Sequence, residues 1–563
     1  MILIVFLLPF IIYVSSLNQT ISLGDSGEMV TAATTLGILH PPGYPLYPLL
    51  AHIFTFIPFN SPAWRVNLFS AFAGALTVLF LYLLIYRVTS SRLAALGASW
   101  LLAFTPTFWS YANYAKGYVP FAFLLSILFY LKVVSTNKAI SALALVAGLA
   151  TCIYMQFMLL LIPVLIIFVF TRINYLKLLP LFLIGLTPYL YLPLRALHDP
   201  YLNWCNPCTW GGFCEMILKK GYTWELGQAG LIQSLNQVKL FFALMIKDFT
   251  VIGVALGSLG IGIGLTRKRK GSWFWLISWI VLWGGVCFLS HFPIGEYTEK
   301  IMKGFFIPSY LLFTYWIGVG ISFFKKIGQE SFKLFLIVTL IFLLIIVRYP
   351  QCNRRGEEFA SEYGRNVLVS LPFNSIIITH TDDCSFPLYY LQSAEKLRPD
   401  VKIVVYDLIM VPWYRDQLKR RYSFDIDPYS GSGTKEGDIL ALVKQVKQPV
   451  FCDRRAYLSL KKLPLNFSQW GIIYKIGKDP QWLKISENLW NSHYRYLSVF
   501  RQGIYRDIAV RDLLEIYSNC LNDLAVAENN EGKTLKAISN LRLAIQFNPD
   551  NETSKANLKI LTK

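Results

Sequence analysis

Asp25 and Glu28 stand three residues apart in the run SLGDSGEMVTAATTLGILHPPGYPLY, residues 22–47. On a helix that spacing puts both carboxylates on one face. Three chemistries fit the pair. Asp25 can cap a helix that Glu28 closes as a capping box. Gly24-Asp25-Ser26-Gly27 shares its letters with a serine-hydrolase loop, but that chemistry needs a histidine base, an orienting acid and a strand–turn–helix setting. The third is a general base or a metal-binding carboxylate, with Asp25 taking the proton of an acceptor hydroxyl. Downstream, Gly37 can end the helix, and His40-Pro41-Pro42-Gly43 turns the chain sharply into Tyr44-Pro45.

The pair follows an apolar stretch directly, and carboxylates beside a bilayer are costly and usually functional. With 55% hydrophobic and 15% charged residues over 563 positions, the chain reads as a polytopic α-helical membrane protein. Its formal charge of +20 is assigned to loop orientation and anionic lipid rather than to nucleic acid. Apolar runs at 1–17, 67–86, 93–109, 119–135, 139–152, 155–170, 178–194, 241–265, 272–290, 304–323 and 332–348 predict eleven spans. The first lacks a basic n-region and a cleavage site, so it reads as a span rather than a removed signal peptide.

Basic residues fall in alternate short loops: Arg87 and Arg92, Lys132 and Lys138, Arg172 and Lys177, residues 267–270, and Lys325-Lys326. The positive-inside rule puts these loops and the N-terminus in the cytoplasm. The loops at 18–66, 110–118, 195–240 and 291–303, and the tail from about 350, then lie outside. The expected organisation is a membrane domain over 1–349, with the first outer loop at 18–66, an extracytoplasmic α/β module over 350–505 and a helical tail over 506–563. The module is predicted from short β-rich runs at 375–379, 402–406, 450–452 and 471–476 that alternate with polar or helical stretches. Ala525, Gly532, Ala537, Ala544 and Pro549 fall where a tetratricopeptide-like hairpin wants small residues, a turn and a stop; an ordinary amphipathic helix pair fits equally.

The outer loops gather Arg65, Lys116, Arg195, His291, Glu296, Glu299, Lys300 and Lys303 on the same face as Asp25. Carboxylates on one side and cations on the other suit transfer from a phosphate-linked donor, with the cations on the leaving phosphate. The bland reading of each cation is an interfacial anchor. Trp109, Tyr111, Tyr114, Tyr118, Trp204, Trp210, Tyr222 and Trp224 serve either as sugar-stacking faces or as an interfacial belt. Cys205, Cys208 and Cys214 fit an incomplete zinc set or a disulfide with one thiol left over. No Walker loop, Rossmann fingerprint or HExxH is present.

The run from Gly24 to Phe54, with Ala63-Trp64-Arg65-Val66-Asn67-Leu68, resembles the signature of the DUF2723 family, protein O-mannosyltransferase-like members of the GT-C glycosyltransferase superfamily. PYLYLPLR at 188–195 with Asn203-Trp204 is similar to a second family block, and Arg398-Pro399-Asp400-Val401 resembles a third. The resemblance implies an inverting membrane transferase using a polyprenyl-phosphate sugar, with Asp25 as the essential acid of the first outer loop. Where the family often has histidine before the sixth span, this chain has Thr151-Cys152-Ile153-Tyr154-Met155-Gln156. The expected site is then Asp25 and Glu28 for catalysis, with His40, Tyr44, Arg65, Lys116, Arg195, Trp204, His291, Glu296 and Lys303 binding donor or acceptor. Expected partners are the lipid-linked sugar, a protein or glycan acceptor and membrane lipid, with no nucleic acid. The competing classes are a transporter or flippase for lipid-linked saccharides, and a non-catalytic membrane assembly protein.

Overall fold

The computed structural model describes residues 1–154, 159–160, 175–219, 230–267, 271–290, 295–426, 433–501 and 506–563. Its contacts group the chain into two compact units. One comprises Met1–Gln19 and Ala32–Gly356; the other comprises Thr20–Thr31 with Glu357–Gln502 and Arg506–Lys563.

The first unit is helical. Among the described residues, Pro62–Thr89, Leu231–Thr266, Ser272–Leu289, Glu296–Lys326 and Glu330–Cys352 are long and apolar enough to cross a membrane. The bent pair Leu179–Gly185 and Thr187–Ala196 makes a sixth if counted as one span. Ile2–Ser15, Leu46–Thr55, Arg92–Ala103, Tyr118–Val134 and Asn137–Thr151 are shorter apolar helices. The apolar run at 93–109 is not one helix: it breaks where Thr105 caps a new helix, Pro106–Ala112, by accepting the Phe108 N–H at 3.3 Å. The run at 155–170 lies outside the described residues apart from 159 and 160. Ser61 and Pro62 start the Pro62–Thr89 helix in the same way, with Ser61 Oγ accepting the Trp64 N–H at 3.0 Å.

Glycines set the helix crossings. A Cβ on Gly260 would lie 1.9 Å from the Trp316 carbonyl oxygen, and one on Gly320 2.0 Å from that of Leu256. The Leu231–Thr266 and Glu296–Phe323 helices therefore meet backbone to backbone, the close packing that dispersion rewards where lipid removes the hydrophobic drive. The Glu330–Cys352 helix leaves Phe335, Phe342, Leu343, Ile346 and Val347 exposed, as a lipid-facing helix does. Polar groups fasten the end of the Ile2–Ser15 helix. Trp109 Nε1 donates to Ser16 Oγ at 2.8 Å, and Asn67 donates to the Asn18 carbonyl at 3.0 Å while accepting from Ala115 N–H at 2.8 Å.

The second unit is built on a five-stranded sheet: β1 Ile376–Thr379, β2 Lys402–Val405, β3 Val450–Asp453, β4 Phe467–Trp470 and β5 Ile473–Ile476, in the order β2-β1-β3-β5-β4. β2, β1 and β3 are parallel, while β5 pairs antiparallel with β3 and with β4. β1 and β3 are buried throughout, which is why their sequences read as continuous apolar runs. Three of the four predicted β runs contain β1, β2 and β5, and the run at 450–452 covers all of β3 but Asp453. β4 escaped because Phe-Ser-Gln-Trp is half polar. It joins β5 through a tight turn in which Gly471 takes φ +63°.

Three helices follow: Ile508–Asn530, Thr534–Phe547 and Glu552–Leu561. Gly532, at φ +80°, makes the first turn, and Ala525, Ala537, Leu541 and Ala544 are buried between them. Tyr517 and Phe547 stack with ring centroids 5.2 Å apart.

Candidate functional site

The segment Thr20–Thr31 carries both catalytic candidates and belongs to the second unit. Gly24, at φ +80°, makes a turn that a side chain would strain. Its N–H donates to Asp383 Oδ1 at 2.7 Å. Met29 N–H donates to the Asp25 carbonyl at 2.8 Å, so the helix Ser26–Thr35 starts at Asp25. Asp25 is half-buried and Glu28 is buried, both at the helix end whose partial positive charge favours carboxylates. Ser26 is buried, and its hydroxyl accepts the Ser22 N–H at 3.2 Å, closing the turn. Gly27 permits close approach: a Cβ there would sit 2.7 Å from the Phe386 carbonyl oxygen.

In the first unit the two sequence blocks fold onto each other. The left-handed residue that ends the Ser26–Thr35 helix is Leu36, at φ +51°, not Gly37. Gly37 instead allows close approach, since a Cβ would come within 3.0 Å of Leu202 Cβ. Arg195 Nε donates to the Leu36 carbonyl at 2.6 Å and its Nη2 to Thr35 at 3.0 Å, while Tyr191 donates to Gly37 at 3.0 Å. Arg195 thus satisfies carbonyls that a helix end leaves orphaned. Arg65 acts similarly, with Nε on the Phe59 carbonyl at 2.9 Å and Nη1 on Thr55 at 3.1 Å.

The same unit carries a continuous aromatic run. His40 lies edge-on to Tyr44 at 5.4 Å and to Trp204 at 6.2 Å. Tyr44 stacks on Tyr154 at 5.5 Å, and Tyr154 meets Tyr118 at 5.2 Å. Tyr118 contacts Phe305 at 5.5 Å and Tyr111 at 5.1 Å, and the Lys116 ammonium lies 5.8 Å from its ring centre. Aromatic rings of this kind present faces to sugar C–H groups or isoprenoid chains. Sequence reasoning named His40, Tyr44, Lys116 and Trp204 but missed Tyr154 and Phe305 as partners. Tyr154 sat in the block flagged for its lack of histidine, and ring stacking was its hidden role.

Lys303 pairs with Glu299 at 2.7 Å, while Glu296 is exposed at the start of the same helix. His291 lies outside the described residues. All nine cysteines are free thiols. Cys205 is buried, which, with Glu215 nearby, pushes its thiol up to about 12. Among the described residues no group of three or more His, Cys, Asp or Glu could hold a metal ion. The Asp25 and Glu28 pair therefore has no third ligand of these types there.

The second unit adds a titratable cluster at the carboxyl ends of the parallel strands, the edge where open α/β sheets carry function. His380 follows β1, and its Nε2 lies 3.4 Å from Asp407 Oδ1, which follows β2 and also pairs with Lys435 at 2.9 Å. The hydrogen bond to Asp407 raises the His380 pKa, against the effect of burial. His380 N–H donates to Asp453 Oδ2 at 2.7 Å, and Arg455 donates to Thr381 Oγ1 at 3.1 Å. In the third resembling block, Arg398 holds Asp400 at 2.7 Å and reaches the Leu368, Leu371 and Pro372 carbonyls.

Residues 25–179 match the family model for the protein O-mannosyl-transferase TMEM260 N-terminal domain, and residues 360–430 match that for TMEM260-associated domain 2. The chain is 26% identical over 448 residues to protein O-mannosyl-transferase TMEM260 of Mus musculus, covering 73% of this chain and 63% of that one. To the Dictyostelium discoideum protein of the same name it is 25% identical over 465 residues, 72% of this chain and 57% of the other. It thus spans less than two thirds of the length of either relative. The crystal structure of ArnT from Cupriavidus metallidurans bound to undecaprenyl phosphate matches with a TM-score of 0.52 at 12% identity, over 85% of this chain and 98% of that one. The chain is an integral membrane protein that shares the fold of ArnT, and two of its segments match the TMEM260 N-terminal and TMEM260-associated domain models.

Proposed function

We propose that this chain is a GT-C glycosyltransferase that moves a sugar, mannose by the names of its relatives, from a polyprenyl-phosphate carrier to a hydroxyl of a protein acceptor on the extracytoplasmic face. The observation that carries the reading is the half-buried carboxylate of Asp25 at the start of the Ser26–Thr35 helix, on a turn fixed by Gly24 and Gly27. That a neighbour of the same fold binds undecaprenyl phosphate supports the lipid-linked donor. The acceptor oxygen attacks the anomeric carbon, Asp25 takes its proton, the carbon–oxygen bond to the phosphate breaks, and polyprenyl phosphate leaves. A single displacement inverts the anomeric centre. His40, Tyr44, Tyr154 and Trp204 offer ring faces to the sugar or isoprenoid, and Lys116 offers charge to the phosphate. Glu28, buried in the same helix turn, orients the base. Eleven crossings put the N-terminus in the cytoplasm and residues from about 350 outside.

The test is Asp25→Asn, which keeps the shape and removes the charge. Release of polyprenyl phosphate from polyprenyl-phosphate mannose should slow by about 100-fold or more if general-base catalysis operates. Unchanged turnover overturns the assignment.

A further inference from the structure

We propose that Asp383 is a positioning residue for the transfer, holding the turn from which Asp25 projects; the role in catalysis rests on Asp25 being the base. Asp383 occupies the first turn of the Asp382–Ser393 helix, just beyond β1, and is 3% exposed. Its Oδ1 accepts the Gly24 N–H at 2.7 Å, one residue before Asp25. A buried carboxylate needs compensation. Here the helix N-terminus supplies it, together with Arg455, which interacts electrostatically with Asp383 and donates to Thr381 Oγ1 at 3.1 Å. The orientation of Asp383 is thereby tied to the carboxyl edge of the sheet.

Two further contacts bind the same segment to the same helix. The Gly27 backbone approaches Phe386 so closely that a Cβ would lie 2.7 Å from its carbonyl oxygen, and Ser393 Oγ lies 3.4 Å from Thr31 Oγ1. Gly24, Gly27 and Thr31 meet Asp383, Phe386 and Ser393 in that order, so the segment is laid along the helix from its first turn to its last residue. The bond from Asp383 is the member of this series nearest the reacting carboxylate. It holds the Gly24 amide in a left-handed turn, φ +80°.

The experiment compares wild-type full-length protein with Asp383→Ala, Asp383→Asn and Asp25→Asn. Hydrogen exchange is followed by mass spectrometry at residues 22–29, and turnover is measured with polyprenyl-phosphate mannose and a threonine-rich peptide. In Asp383→Ala exchange at 22–29 should accelerate while β1 stays protected. Its kcat should fall about 10- to 100-fold with the donor KM within about threefold of wild type, the pattern of a displaced catalytic group. Asp383→Asn keeps an oxygen for the Gly24 N–H and should restore kcat to within about threefold, a rescue tied to that hydrogen bond. Unchanged exchange at 22–29 in Asp383→Ala overturns the proposal, as does an Asn variant damaged as badly as the Ala variant. Full activity in Asp25→Asn instead overturns the base assignment, while the exchange comparison still decides whether Asp383 holds the turn.

Discussion

Replacing Gly27 by alanine tests whether the catalytic turn is built to a fixed position. The added Cβ would lie 2.7 Å from the Phe386 carbonyl oxygen, 2.8 Å from its carbonyl carbon and 3.1 Å from its Cβ. Two of these atoms are backbone in the Asp382–Ser393 helix and cannot swing aside. Ordinary contact begins near 3.4 Å, so the two helices must separate by about 0.7 Å. Overpacking of this kind costs about 1–3 kcal/mol. Alanine's better helix propensity offsets about 0.5–1 kcal/mol of that. The balance is a loss of about 0–2.5 kcal/mol, read as a lower unfolding midpoint. Gly27 lies two residues beyond Asp25, so the same shift displaces the proposed base, and a misplacement of about 1 Å costs about 100-fold in rate. A kcat reduced about 10- to 100-fold alongside the stability loss is expected. A Gly27→Ala protein at least as stable as wild type, with unchanged kcat, would refute the close packing of this turn on Phe386.

Three other outcomes follow from the described geometry. Because Asp407 raises the His380 pKa, the stability from that pair is full below about pH 6.5 and is lost as pH rises through the folded value. The difference in unfolding midpoint between wild type and His380→Gln should therefore shrink from pH 6 to pH 8.5; a constant difference refutes the coupling. At the acid end, His380 and Lys435 outweigh burial and hold the Asp407 carboxyl well below its usual range, so Asp407→Asn should lose the wild-type advantage only at strongly acid pH. Arg195→Lys keeps the charge but cannot span the Thr35 and Leu36 carbonyls with a planar fork, so stability should fall by about 1–3 kcal/mol with donor KM unchanged. A raised KM at full stability would give Arg195 back to the phosphate.

Much of the membrane unit was legible because lipid demands long apolar helices, and composition alone reveals them. The break at Thr105-Pro106 was not, since its cap and proline sit inside an apolar run that reads as one span. Asp248 and Arg348 were passed over for the same reason. Both are buried in apolar helices: Asp248 accepts from Thr107 N–H at 2.8 Å and Thr107 Oγ1 at 2.7 Å, and Arg348 donates to the Phe104 and Asp248 carbonyls at 2.7 Å. They satisfy chain breaks that only the folded structure exposes. In the candidate site, the helical spacing of Asp25 and Glu28 was readable because it is local. The bond from Gly24 to Asp383 joins positions 359 residues apart, and no local pattern announces it. Residues of the aromatic run could be found only as separate rings, because stacking partners such as Tyr44 and Tyr154 come from distant loops.

The cations show why residue type alone leaves two chemistries open at the end of a helix. An outer-loop arginine invites the reading of a phosphate ligand, since its planar fork matches phosphate oxygens. The same fork matches a pair of carbonyls where a helix or loop ends, and there it removes an unsatisfied acceptor whether or not substrate is present. Arg65, Arg195 and Arg398 each grip two or more backbone carbonyls. Lys116 differs, its ammonium lying 5.8 Å from the Tyr118 ring centre within the aromatic run. Loss of Lys116 should therefore raise the donor KM more than it lowers stability, whereas loss of either outer-loop arginine should do the reverse.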